Sequence, residues 1–225
     1  DTLVRRLKTD GNWSLLDRLW LFASESQQAA QVSLVNPSST QITEVNSPTW
    51  TINQGYTGNG STMYLNTNYN PNSDAIQYAL NSACMGGYSR TNLTESVNII
   101  GHSDGVNSTV VSPRNAGDTI TGRMHAAVNA SGANTSSLGL FAVARTTSTA
   151  QAVWKNGSSV ASSVTASVGI VNNSMYVLAI NSSGTAAQFN TKQCSMAFIG
   201  AGSVGQLLLF NAIEAYMDSI GAGVV

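Results

Sequence analysis

The sequence predicts an all-β sandwich with a short helix at its N-terminal end and a longer one at its C-terminal end. Three observations predict it. Short runs of β-branched, aromatic and aliphatic residues follow one another, separated by Gly, Asn, Asp, Ser and Pro. One of the separating turns is Asn156-Gly157, the strongest short-range hairpin signal. A 3.6-residue apolar period occurs only at the two ends of the chain. At 225 residues, 1–225 suits one sandwich, and no linker divides it.

Taken in order, Thr2 to Thr9 reads as a helix. Leu3, Val4 and Leu7 share a face, and Gly11 is a natural stop. Arg5, Arg6 and Lys8 read as its solvated side. Trp13 to Asp17 adds a helical turn before the apolar run Leu19 to Ala23, so residues 1–23 are expected to form an N-terminal helical segment. The strand candidates follow: Ala29–Val35, Thr49–Asn53, Thr62–Thr67, Cys84–Ser89, Val97–His102, Thr109–Ser112, Thr119–Val128, Leu138–Arg145, Ala150–Lys155, Ser159–Val164, Met175–Asn181 and Ser195–Ile199. Both faces of Met175–Asn181 are apolar, which predicts cover on both sides. The stretch from Ser47 to Asn70 reads strand, glycine-rich corner, strand. Gly55, Gly58 and Gly60, with Asn59, are expected to supply positive-φ conformations there. Gln41 to Ser47 and Asn70 to Asp74 are the most loop-like interruptions.

The C-terminal segment 203–221 is the clearest helix. Ser203 with Gln206 suits a capping box, and Gly221 suits the position just past the end. Asn211, Glu214 and Asp218 fall on one polar stripe, and Leu207, Leu208, Leu209, Phe210, Ile213, Tyr216 and Met217 fill most of the rest. A helix this apolar must pack on the sandwich or on a partner chain.

Composition narrows the function classes. Hydrophobic residues make up 42% of the chain, enough for a full core, while charged residues make up only 9%. Typical soluble domains carry about 25% charged residues, so Ser, Thr, Asn, Gln and Gly must cover this surface. That suits a rigid extracellular or virion surface rich in neutral hydrogen-bonding groups. The net charge is −1, with no basic stripe beyond Arg5, Arg6 and Lys8. Nucleic-acid binding needs several phosphate-neutralising side chains, so no nucleic-acid partner is expected. No apolar run is long enough to span a membrane, and Leu3-Val4-Arg5-Arg6 is too short and polar for a signal peptide. The sequence opens on Asp1, which suits a processed product or a fragment. Cys84 and Cys194 have no metal spacing. They read as buried free thiols, with one long-range disulfide as the alternative.

Catalytic and metal constellations are weak. Glycosidases need two carboxylates roughly 5 to 10 Å apart. Glu95 and Asp104 flank one strand from opposite ends, and Asp74 and Asp118 stand alone in loops. His102-Ser103-Asp104 offers triad residue types, but neighbours on a strand point to opposite faces. His125 reads as a half-exposed strand residue. Asp74 with Asn70 and Asn72, or Asp104 with Asn107, have calcium-ligand chemistry, yet Asx residues in turns usually bond local backbone instead. Gly86-Gly87 and the pair Gly200 and Gly202 lack the lysine and the context of a phosphate loop. No catalytic residue, metal or cofactor is therefore expected. For glycan binding the candidates are exposed aromatics that stack on sugars and polar groups that bond hydroxyls: Tyr69, Tyr88, Arg90, Asp104 and Trp154. Each aromatic has core or hairpin packing as its competing role.

One ordered set of segments carries a resemblance. It comprises Leu3-Val4, Leu7 to Gly11, Trp13, Leu16 to Ala23, Gln28-Ala29-Ala30, Val45 to Thr49, Gly55 to Ser61, and Leu208 to Gly221. Together these resemble the concanavalin A-like (laminin G-like) jelly-roll domains at the ends of bacteriophage tail and other virion proteins. The resemblance implies a concanavalin A-like β-sandwich and a location on a virion. It implies other virion proteins as partners, a homo-oligomer displayed in many copies, and contact with a host surface glycan. No catalytic residue transfers. The expected function is a non-enzymatic virion surface protein of a tailed phage, serving as fibre, decoration or receptor-binding element. The alternatives are a phage-tail glycan depolymerase and a secreted bacterial lectin-like domain.

Overall fold

The computed structural model describes residues 2–225. Strands take 37% of the chain and helices 15%, so the all-β class holds. The strands are β1 (Leu16–Leu21), β2 (Thr43–Val45), β3 (Thr49–Thr51), β4 (Gly55–Thr57), β5 (Tyr64–Asn66), β6 (Ala83–Ser89), β7 (Ile100–Ser103), β8 (Ser108–Asn115), β9 (Thr119–Arg123), β10 (Ala130–Ala133), β11 (Gly139–Arg145), β12 (Gln151–Lys155), β13 (Ser158–Ser163), β14 (Tyr176–Val177), β15 (Ile180–Ser182), β16 (Thr185–Ala187) and β17 (Gln193–Gly200). The helices are α1 (Thr2–Thr9), α2 (Gln27–Gln31), α3 (Pro71–Asp74) and α4 (Gln206–Ser219).

Two sheets face each other. The first runs β13-β12-β11-β6-β17-β4-β3, with β1 also beside β17; the second runs β10-β9-β8-β7-β14-β5-β2, with β15 on β7 and β16 on β15. Trp20, Phe22, Leu65, Met85, Ile100, Val111, Phe141, Val143, Val177 and Ile199 fill the space between them. The outer face of the first sheet is also covered. There Leu19, Tyr88, Leu140, Met196 and Phe198 pack under Leu3 and Leu7 of α1 and Leu209, Ile213 and Met217 of α4. This third layer explains why β6 and β11 are buried along their whole length.

The terminal helices are where the 3.6 period put them. Gly11 (φ 78) and Gly221 (φ 72) both adopt the left-handed conformation just past a helix end. Lys8 lies over the Trp13 ring at 5.2 Å, and Arg6 lies 3.7 Å from Asp10. Two details of α4 differ from expectation. Ser203 does not cap it: Gly205 is the N-cap. The buried Asn12 holds that residue, accepting from its N–H at 2.8 Å and donating to its carbonyl at 3.2 Å. The helix also spans Gln206–Ser219 and not the whole of 203–221. Glu214 is buried while Leu207 and Leu208 are exposed, because the Tyr88 hydroxyl donates to Glu214 from the sheet.

Other expectations are corrected. Residues 1–23 are not helical throughout: after a 3₁₀ turn at Trp13–Leu15 the chain enters β1. Ala29–Val35 is not a strand. Ser26 accepts from the Ala29 N–H and starts α2 in a Gln- and Ala-rich segment that favours helix. The two loop-like interruptions contain β2 and α3. The halves of Ser47–Asn70 do not pair with each other: β3 and β4 form a hairpin in the first sheet, and β5 crosses to the second. Gly55 and Gly60 have positive φ there, but Asn59 works through its side chain, accepting from three successive N–H groups of residues 61–63. Gly58 provides close approach, since a Cβ there would lie 2.2 Å from the Asn190 carbonyl oxygen. Met175 to Ile180 is buried on both sides, yet the strand breaks at Leu178 (φ 66). The Asn156-Gly157 hairpin forms with positive φ at both residues.

Candidate functional site

A polar cleft of about 290 Å³ opens at the start of β1, lined by Arg18, Asn36, Ser38, Ser39, Thr40, Asn68 and Asp74. It arises from an irregularity in β1. Leu16 pairs with Gly200 and Arg18 with Ile199, leaving Asp17 as the extra residue of a bulge. Bulges re-aim side chains, and here a charged pair departs from an otherwise apolar strand.

Asp17 is buried and tightly bonded. It accepts from the Tyr69 hydroxyl at 2.6 Å and from the N–H groups of Ile76, Gln77 and Tyr78 at 3.2, 2.7 and 3.2 Å. It thereby fixes the segment that follows α3. Burial, then the Asp17 carboxylate, holds the Tyr69 hydroxyl far above the ordinary phenol range, so Tyr69 remains a donor.

Arg18 lies 5.1 Å over the Tyr69 ring, and its Nη1 donates to the Asp17 carbonyl at 2.8 Å. Among the described residues its guanidinium has no carboxylate partner and no second hydrogen bond. Asp74, which also lines the cleft, accepts from the Asn70 N–H at 2.8 Å and from the Ser73 hydroxyl at 3.1 Å. Asn36, Ser38 and Thr40 form an exposed rim, and Asn68 is held by its bonds to Gln41 and Thr43. The cleft thus offers one cation, one carboxylate, two amides and three hydroxyls.

The sequence-predicted glycan residues are placed as follows. Tyr69 lies beneath this cleft, its ring fully buried. Tyr88 is fully buried under α4. Neither ring offers a face for a sugar to stack on. Arg90 donates to the Ala222 carbonyl and to the Gln193 side chain at 2.8 Å each. The Tyr88 hydroxyl accepts from the Val224 N–H at 3.1 Å, so Tyr88 and Arg90 come together to hold the C-terminal segment. Asp104 closes the turn after β7 by accepting from Val106 and Asn107. Those bonds outweigh its burial and hold its carboxyl below the usual range. Trp154 is half-buried on a mostly apolar cleft of about 230 Å³ with Gln151, Ser162 and Val164.

Sequence reasoning missed Arg18, Asn36, Ser38, Ser39, Thr40 and Asn68. The signal for Arg18 was Asp17-Arg18 itself, a charged pair inside the run Leu15 to Ala23. Asp74 was noted as a calcium candidate. Asn70 caps α3 and donates from its backbone to Asp74, which is local turn chemistry.

The carboxylates weighed for catalysis have structural partners. Glu95 accepts from Lys192 Nζ at 2.7 Å; burial alone would raise its pKa, but Lys192 and Thr191 hold it low. Asp118 lies 2.7 Å from Arg114. His125 is fully buried rather than half-exposed. Its Nδ1–H donates to the Leu80 carbonyl at 2.8 Å, and Nε2 accepts from the Tyr78 hydroxyl at 2.7 Å. His102 is also fully buried, donating through Nδ1 to the Asn173 carbonyl at 2.9 Å. Cys84 and Cys194 are free and buried, and burial pushes both thiols up, Cys194 to about 12. Among the described residues no three His, Cys, Asp or Glu side chains come together to hold a metal ion. No helix among them is long and apolar enough to cross a membrane. Two adjoining clefts of about 410 and 540 Å³, the first mainly apolar and the second mixed, run beside α4 and share Leu21, Leu34 and Tyr216.

No protein-family model matches this sequence, and no curated protein matches it. Solved structures do resemble it. Domain 4 of AbnA, a GH43 extracellular arabinanase from Geobacillus stearothermophilus, in complex with arabinotriose, is 13% identical with a TM-score of 0.52, covering 87% of this chain and 98% of that one. A mutant of Trypanosoma rangeli sialidase displaying trans-sialidase activity is 10% identical with a TM-score of 0.61, covering 99% of this chain and 39% of that one. A receptor binding domain is 11% identical with a TM-score of 0.54, covering 92% and 52%. The chain spans only 22% of the NanB sialidase of Streptococcus pneumoniae. At these identities the likeness is one of fold, and the shared fold is the β-sandwich.

Proposed function

We propose that this chain is a non-enzymatic glycan-binding β-sandwich domain whose site is the polar cleft at Arg18. The carrying observation is the cleft's chemistry: a guanidinium with unused donors, a carboxylate with lone pairs left, and exposed amide and hydroxyl groups on one concave wall. Sugar hydroxyls both donate and accept, and such a mixed wall serves both roles. Two of the structural neighbours are a domain in complex with arabinotriose and a receptor binding domain, which agrees with this reading. The absence of catalysis is part of the proposal. None of the four clefts described above has more than one carboxylate on its wall, and glycoside hydrolysis ordinarily uses two.

The finer reading is a concanavalin A-like domain on the surface of a tailed phage particle, displayed as a homo-oligomer among other virion proteins. It rests on the sequence resemblance. A glycan array probed with multimerised protein tests the binding. Retention on at least one glycan, lost in an Asn36→Ala/Asp74→Ala double variant, is the expected result. No retention on any glycan sinks the reading. Release of reducing sugar from host polysaccharide would replace it with a depolymerase. Antibody labelling of purified particles tests the virion location.

A further inference from the structure

We infer that the ligand of this cleft is a saccharide bearing a carboxylate, with Arg18 as the group that reads the acid; this rests on the glycan-binding reading above. Arg18 is only 7% exposed. A buried charge is costly unless it is paired and hydrogen-bonded. Here the protein supplies one carbonyl on Nη1 and the face of the Tyr69 ring, and the remaining donors, none of them a buried orphaned atom, open to the cleft. The nearest carboxylate in sequence, Asp17, forms no ion pair with it and is engaged by Tyr69 and the backbone of residues 76–78. The two charged residues at the β1 bulge thus have separate surroundings and form no ion pair with each other. One partner stabilises the fold, and the other faces a cleft.

A guanidinium presents its N–H groups in a planar fork that matches a carboxylate, so a carboxylate is the anion its geometry suits. The rest of the wall decides against a phosphate group. Arg18 is the only cation lining the cleft, and Asp74 stands on the same wall. A dianion would meet one positive charge and one repelling carboxylate, whereas a monoanion is matched by Arg18 alone. Asp74 then has a different role. Each of its oxygens already accepts one bond and keeps capacity for another, so it suits the hydroxyl groups of a ring that carries the acid elsewhere. The volume of about 290 Å³ sits near the lower end of small-molecule sites, roughly 300 to 1,000 Å³. One sugar residue fits that size. Tyr69 is covered by Arg18, so recognition rests on hydrogen bonds and charge and not on ring stacking.

The test is titration calorimetry of the intact chain with three probes: methyl β-D-glucuronide, the methyl glycoside of N-acetylneuraminic acid, and methyl β-D-glucoside. At least one acid should bind roughly 10- to 100-fold tighter than the glucoside, the span expected of hydrogen bonds to a charged group. Arg18→Gln should abolish the preference, and Arg18→Lys should restore only part of it. Thermal unfolding accompanies each variant. Should Arg18→Gln fail to fold, Asp74→Asn carries the test: removing the neighbouring like charge should tighten the acid relative to the glucoside. Equal binding of acid and glucoside, or acid binding unchanged in folded Arg18→Gln, overturns the inference. If neutral glycans bind and acids do not, the acid preference falls while the glycan-binding reading stands. If no probe and no array glycan binds, both fall.

Discussion

The Tyr88 hydroxyl donates to the Glu214 carboxylate at 2.7 Å, joining the C-terminal end of β6 to the face of α4 that lies on the sheet. The same hydroxyl accepts from the Val224 N–H, so one side chain ties a strand, a helix and the C-terminal segment together. Burial raises the Glu214 pKa, and the bond from Tyr88 works against that rise.

Tyr88→Phe should therefore destabilise the fold by about 1 to 3 kcal/mol, the range for stranding a buried polar group. It should also raise the Glu214 pKa further. Urea unfolding and a carboxyl NMR titration read the two effects. A Tyr88→Phe, Glu214→Gln double-mutant cycle with no coupling would show that the contact does not contribute.

Removing α4 should be far worse. Leu209, Ile213 and Met217 are each fully buried against the outer face of the first sheet. Burying one such side chain is worth about 1.5 to 3 kcal/mol, and domain stability totals only about 5 to 15 kcal/mol. A chain ending before Gln206 should be insoluble or unfolded by circular dichroism. A soluble truncation with the full-length midpoint would mean that α4 serves a partner interface instead.

Buried histidines should make stability fall in mild acid. Burial lowers the pKa of His102 and of His125 to about 4 each. Asp104 pulls His102 upward, while Arg145 and the neighbouring His102 push His125 down. An unfolded histidine titrates near 6.5. Between those values the unfolded chain takes up the protons, so the contribution is complete above about pH 6.5 and drains away toward pH 4. Each ring accounts for about 3 kcal/mol across that window. Glu214, with its raised pKa, acts in the opposite direction over part of it. Urea midpoints at pH 8, 6.5, 5 and 4 check this; a flat profile from 6.5 to 4 would refute it.

The fold class was legible because it rests on local signals. The Asn156-Gly157 turn, the two helix-ending glycines and the alternating apolar runs each act over a few residues. What escaped depends on contacts between distant segments. Asn12 replaces Ser203 as the anchor of α4 across 193 residues, and no local pattern encodes that. Nor does any local pattern encode the burial of Glu214, whose partner, Tyr88, lies 126 residues away. The site escaped for the same reason. Residues 18, 36–40, 68 and 74 converge only through the β1 bulge and the α3 turn. Looking for sugar-stacking aromatics led to Tyr69 and Tyr88, whose rings the core buries.

The glycine-rich corner supplies a sharper local test. A Cβ on Gly58 would lie 2.2 Å from the Asn190 carbonyl oxygen, which is backbone and cannot swing aside. Gly58→Ala should cost about 1 to 3 kcal/mol through forced backbone shifts. Gly117→Ala makes the contrast, because its Cβ meets nothing within 4 Å although its φ of 76 is strained for alanine. The larger loss at Gly58 is the expected result of paired thermal melts. Equal losses would mean that the close approach at Gly58 costs no more than the strained φ at Gly117.

On the proposed reading of a phage surface protein, binding to host cells should depend on copy number more than on salt. With 9% charged residues and a net charge of −1, the surface has little long-range field to steer a ligand. The one charge that lines the cleft with unused donors, Arg18, is buried, and buried charges are screened much less than exposed ones. A cleft for one sugar residue gives weak affinity per site. Linked copies gain avidity without any new contact, by roughly 10²- to 10⁴-fold where the geometry allows simultaneous engagement. Monomer should therefore bind susceptible cells poorly at both 50 and 300 mM salt, while a multimer made on a streptavidin scaffold binds well at both. A multimer that fails on cells whose glycans the array has matched would leave an architectural role on the particle as the better account.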